Sequence, residues 1–196
     1  MHFSIISTQH PDRARAESGI EDVYQRRYGC SVPSFAPHLA VLSGADGNVL
    51  CAAGVRLGGE QFFSESYFDT PAETLAARAL GRPVDRFEIV EISTLAAVRS
   101  CAAGPFLSQL VNRTRELGTS MLLFTATGRL RTYLQRNGVS LIELCPADPA
   151  RLSGQDGWGT YFDHDPVVCL SPDTVARPFT LAPPASLAGQ RLRVAA

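Results

Sequence analysis

The stretch FEIVEISTLAAVRSCAAGPFLSQLV, residues 87–111, decides how this chain is read. Its first half alternates. Phe87, Ile89 and Glu91 fall on one face of an extended strand, and Glu88, Val90 and Ile92 on the other. Glu91 therefore shares a face with large apolar groups, where a lone carboxylate is costly unless it is paired or hydrogen-bonded. Two readings stand side by side. Glu91 is either structural, solvated with Glu88 on an edge strand or paired with Arg86 or Arg56, or a general base held at a site. The second half supplies a small-residue turn, RSCAAG (99–104), and then the apolar periodicity of a helix over 106–118, with Pro105 at its opening.

Composition narrows the field. The 196 residues are 45% hydrophobic and 19% charged, with a formal net charge of −1, as in an ordinary globular chain. No global basic field draws the protein to nucleic acid or to an anionic membrane. Every one of the 18 basic residues is Arg, and the simplest origin of that bias is codon composition. The five cysteines are widely spaced, and the four histidines show no HExxH-type spacing. Neither a zinc site nor a disulfide framework is expected. Residues 1–15 lack the basic and apolar regions of a secretion signal, and no apolar run reaches transmembrane length, so a reducing cytoplasm is the expected setting.

Working outward, HFSIIST (2–8) predicts a strand and residues 10–29 a helix closed by Gly29. Residues 38–58 predict a hairpin around Gly44–Asn48. An acidic aromatic segment (62–71) precedes a helix opened by Thr70-Pro71. SMLLFTAT (120–127) predicts a buried strand, and residues 128–138 a helix ended by Asn137-Gly138. VSLIELC and DPVVCLS predict two last strands. Residues 173–196 are Pro-rich and aperiodic, an extended or disordered arm after a single domain over 1–172.

Antiparallel strands first, then strands alternating with helices, predict an α+β (mixed α/β) fold with a central, mostly antiparallel twisted sheet flanked by helices. The order is similar to the core of the GNAT-like acyl-CoA N-acyltransferase fold. GNAT enzymes hold a cofactor pyrophosphate on a [QR]-x-x-G-x-[GA] turn at a helix N-terminus. Arg99, Ala102, Ala103 and Gly104 fit that pattern with Ala102 where the first Gly belongs, and Ala resists a positive φ.

Further candidates surround this core. Glu65, Tyr67 and Asp69 recur at period 2, so an extended chain would point them one way, toward a cationic amine or as a solvated turn. Thr125 and Thr127 end a buried strand where open sheets commonly bind ligands, although Thr127 also suits a helix cap. Trp158 reads as core, and Tyr161 as a candidate general acid.

The combination of HPDRARAESGIEDVYQRRYG, AAGVR, FFSESYFDTPAE, RFEIVEISTLAA, LLFTATGRLR, CPADPARL and WGTYF resembles the thermostable haemolysin family over about residues 9–168. In layout it is also similar to the acyl-homoserine-lactone synthases, with EISTL in place of their Arg-bearing run. The resemblance implies acyl transfer from acyl-CoA or an acyl carrier protein to a small amine. Glu91 would be the base, Arg56, Glu65 and Asp69 would shape the acceptor site, and no metal would be needed. Two rival readings stand beside this: the family name implies a membrane-active lytic effector, and Ala102 in place of Gly suggests a catalytically silent GNAT-like binding module.

Overall fold

The computed structural model describes residues 1–152 and 155–172. Seven strands form one sheet: β1 (His2–Ile6), β2 (His38–Ser43), β3 (Val49–Arg56), β4 (Ile89–Ala97), β5 (Met121–Ala126), β6 (Ile142–Pro146) and β7 (Val167–Pro172). Their spatial order is β1-β2-β3-β4-β5-β7-β6. Every pairing is antiparallel except β4 with β5. The last strand in sequence thus lies between the two before it.

Four helices cover the two faces: α1 (Arg13–Tyr28), α2 (Ala72–Leu80), α3 (Ala103–Glu116) and α4 (Gly128–Arg136). Phe106, Leu107 and Leu110 of α3 and Leu134 of α4 pack with Val90 and Ile92 on one face. On the other, Ile20 and Val23 of α1 pack with Leu39 and Ala96, while Ala76 of α2 joins Phe62, Tyr67, Ile89 and Leu123. Strand β4 is therefore covered on both sides, and Ile89 to Ile92 are all buried.

Most expected elements form within a few residues of their expected ends. Gly29 closes α1 and Gly81 closes α2, each with φ 66, where glycine carries no Cβ penalty. Three expectations need correction. Phe87 is not on the strand: residues 86–88 form a 3-10 turn capped by Asp85, and Phe87 is 69% exposed. Helix α3 begins at Ala103, so Pro105 sits inside the first turn, where the missing N–H has no helical partner to lose. Residues 63–67 are a 3-10 turn rather than an extended run. The arm expected at 173–196 lies outside the described residues.

Candidate active site

Strands β4 and β5 pair in register from Ile89 with Met121 to Ile92 with Phe124, and the ladder ends there. The cause is a bulge in β4. Ala52 and Gly54, two steps apart on β3, face Ala96 and Ser93, three steps apart on β4. Thr94 takes up the extra length with φ 47, a left-handed conformation that costs a branched residue energy. Gly54 makes room for it: a Cβ there would meet Ser93 Oγ at 2.5 Å and Thr94 Oγ1 at 3.2 Å. Past the bulge β4 pairs only with β3, and Thr125 and Ala126 pair only with β7.

A cavity of about 560 Å³ opens between the parted strands. Arg56, Ser93, Thr94, Thr125 and Thr127 line its middle, and Ser100, Cys101 and Ala103 line the side toward the turn. Leu107, Leu110, Leu122, Phe124, Leu130 and Val139 give it an apolar floor beneath α3 and α4. The hydroxyls of Thr94 and Thr125 are buried and have no hydrogen-bond partner. Native interiors rarely tolerate such groups without a ligand, water or function to meet them. Thr127 stands at the N-cap of α4 but makes no side-chain cap bond.

Glu91 is fully buried beside this cavity rather than on its wall. Its Oε1 accepts from the Ser64 N–H at 2.6 Å, and its Oε2 from the Phe63 N–H at 2.7 Å and Arg56 Nη1 at 3.3 Å. The carboxylate thus does from another strand what an N-cap side chain does locally, satisfying the first N–H groups of the 63–67 turn. Arg56 Nη1 also donates to Ser93 Oγ at 3.0 Å, so Glu91 sets the position of a guanidinium that does line the cavity.

The 3-10 turn at 63–67 disperses the three residues expected to act together. Glu65 turns to Arg86, which it holds through a two-pronged ion pair of 2.6 and 2.9 Å. The Arg86 guanidinium holds the Glu65 carboxyl below its ordinary range, and the Ala72 and Phe62 N–H groups act in the same direction. Tyr67 is buried in the core beneath α2, and its ring still reaches the cavity. Asp69 is exposed and pairs with Arg151. Neither Glu65 nor Asp69 lines the cavity.

The turn 99–104 differs from its expected form. Ala102 (φ −83, ψ −15) and Ala103 (φ −61, ψ −46) are right-handed, so this turn requires no glycine at residue 102. The N–H of Ala102 donates to Arg99 O and that of Ala103 to Ser100 O, which leaves neither for a phosphate. Ala102 and Gly104 are buried under the sheet, and exposed Arg99 lines a separate groove with Arg15, Arg26 and Asp46.

Tyr161 does line the cavity, within a ring cluster formed with Tyr24, Tyr28, Trp158 and Phe162. Burial pushes its phenol well above the ordinary value, so it stays protonated. Residues unmarked in the sequence complete the wall: Ser93 and Thr94 at the bulge, and Arg27 and Arg129 near Tyr28. The glycine of AAGVR, flanked by small residues, was the one signal of the bulge. Among the described residues no cluster of His, Cys, Asp and Glu could hold a metal, and no helix is long and apolar enough to cross a membrane.

Solved structures that share this architecture include the following three. LasI, an AHL synthase, superposes with a TM-score of 0.58 at 15% identity, covering 87% of this chain and 90% of LasI. MesI, a CoA-dependent acyl-homoserine lactone synthase, gives 0.54 at 19% identity, covering 88% and 89%. FeeM, an N-acyl amino acid synthase from uncultured soil microbes, gives 0.57 at 14% identity, covering 87% and 90%. The fold is thus the GNAT-like α+β fold of the acyl-homoserine lactone synthases. No curated protein sequence matches the chain significantly. Residues 6–174 match the model of the family described as thermostable hemolysin, and the chain belongs to that family.

Proposed function

We propose that this protein is an N-acyltransferase that moves an acyl group from a phosphopantetheine thioester, on CoA or an acyl carrier protein, to a small amine. One observation carries the proposal: past the bulge at Thr94 the edges of β4 and β5 lie open to each other across a cavity that Thr94 and Thr125 line. An extended pantetheine arm, with its two amides, would complete those edges as an added strand does. The apolar floor beneath α3 and α4 would take the acyl chain. The side of the cavity lined by Ser100, Cys101 and Ala103 is the proposed phosphate end, in place of the N–H groups of the 102–104 turn and of Arg99, which lies in a separate groove. The products named for the three structural neighbours all carry an acyl group, which agrees with this reading.

In the proposed reaction the amine nitrogen attacks the thioester carbonyl carbon, the C–S bond breaks, and an amide and a thiol result. No carboxylate or histidine is among the described residues that line the cavity, while Arg27, Arg56, Arg115 and Arg129 are. That positive surround disfavours an ammonium, so the amine sheds its proton to solvent as it enters. Glu91 then acts as a positioning residue through Arg56 rather than as the base in contact with the amine. The proton that the attacking nitrogen releases ends on the departing sulfur as the thiol, and Tyr161, held as a phenol, donates a hydrogen bond to that sulfur. The reaction is set in a reducing cytoplasm, where the five cysteines, all free, would stay reduced.

The test is thiol release from acyl-CoA and acyl-carrier donors across an amine panel. Release that requires both donor and amine, and that slows about 10²-fold in Tyr161→Phe, is expected. Absence of release with every donor, together with no rise in Tm on adding CoA, would overturn the proposal. Liposome leakage by the pure protein without thioester would favour lytic action instead.

A further inference from the structure

We propose that the acceptor is an amino acid with an uncharged side chain, and that Arg56 binds its carboxylate. This rests on the acyltransferase reading and names the acceptor class. The sequence had suggested a cationic acceptor held by Glu65 and Asp69. The structure moves both acids out of the cavity, to Arg86 and Arg151. The described wall is left with guanidinium groups and no counter-charge of its own.

Arg56 is the buried member of that set, only 9% exposed. Its hydrogen bonds, to Glu91 Oε2 and Ser93 Oγ, both leave from Nη1. Nη2 and Nε have no partner among the described residues. Neither is a sealed, unsatisfied atom, and Arg56 lines the cavity. Glu91 engages only Nη1, at 3.3 Å, and leaves the other edge of the guanidinium unpaired among the described residues. A guanidinium fork with unused N–H groups on one edge matches a carboxylate's two oxygens. A bound carboxylate would also return the missing negative charge to the cavity. A diamine would instead bring a second positive charge beside Arg56, with no carboxylate among the described lining residues to meet it.

The experiment is calorimetric binding, to the CoA-saturated protein, of three matched sets: neutral amino acids, their amides, and 1,4-diaminobutane. At least one neutral amino acid should bind about 10–100-fold more tightly than its amide, and the diamine should not bind. Arg56→Lys keeps a cation against Glu91 but loses the fork. It should erase the preference for the free carboxylate while leaving the CoA-induced rise in Tm unchanged. An amide or diamine binding as tightly as the amino acid, binding by no amino acid, or a preference that survives in Arg56→Lys would each overturn the assignment. So would an equal loss of CoA binding, which would place Arg56 at the donor. Thiol release with carboxylate-free amines alone would leave acyl transfer standing and remove this acceptor. A failed thiol-release assay beside intact, Arg56-dependent amino-acid binding would do the reverse.

Discussion

Arg56 and Glu91 stand directly opposite each other on β3 and β4, separated by 35 residues of chain, and both are buried. The carboxylate also takes two backbone N–H groups, and the guanidinium reaches on to Ser93. One cross-strand pair therefore fixes a strand register, a 3-10 turn and a cavity wall.

Glu91→Gln should destabilise the protein by about 3 kcal/mol, because breaking a buried pair leaves the other charge uncompensated. Its amide nitrogen would also face a backbone N–H that now meets an oxygen. Urea unfolding measures this, and an unchanged midpoint at constant m would deny Glu91 its structural role.

Gly54→Ala places a Cβ 2.5 Å from Ser93 Oγ and 2.9 Å from the Ala36 Cβ, so something must shift. A loss of about 1–3 kcal/mol is expected from this overpacking. The displaced Ser93 should release Arg56, so amino-acid affinity should fall with stability. Ala53→Gly, one residue away and facing the core formed with α3, should lower stability and spare the affinity.

Thr125→Val exchanges an unpartnered buried hydroxyl for a methyl of the same shape. The unliganded protein should gain about 1 kcal/mol, since the desolvated group has nothing to lose. The Tm rise induced by CoA should be unchanged, because the sealed hydroxyl does not reach the cavity. Thermal melts with and without CoA decide both halves.

The Glu65–Arg86 pair predicts an acid-sensitive fold. The folded-state carboxyl of Glu65 lies below its ordinary 4.5, chiefly through Arg86. A depressed folded value gives stability that is fully present above the unfolded value and is lost as pH falls through the folded one. Glu65→Gln should thus cost stability at pH 7 and progressively less as pH falls below 4.5. Parallel pH–stability curves for the two proteins would contradict this.

Much of the frame was legible because it rests on short-range chemistry. Left-handed glycines stop α1 and α2 where they stand in sequence, and the hairpin forms around Gly44–Asn48. The alternation in 89–92 placed Glu91 on a buried face, and Arg56 was among its expected partners. The misread segment was 62–71. Its period-2 acids looked like one surface, but the donors of the 63–67 turn are satisfied by a carboxylate from β4, 27 and 28 residues away. Nothing within the segment announces that.

By itself, the sequence determined most of the elements, their order and the apolar face that Glu91 shares, because periodicity, caps and turn residues act over a few positions. Only the tertiary structure decided which residues share a cavity. The bulge at Thr94 parts β4 from β5, β7 fills the place beside β5, and the acids expected at the acceptor site leave for arginines elsewhere. Those outcomes depend on pairings between distant strands and on where charges find partners once water is excluded. No local pattern encodes either.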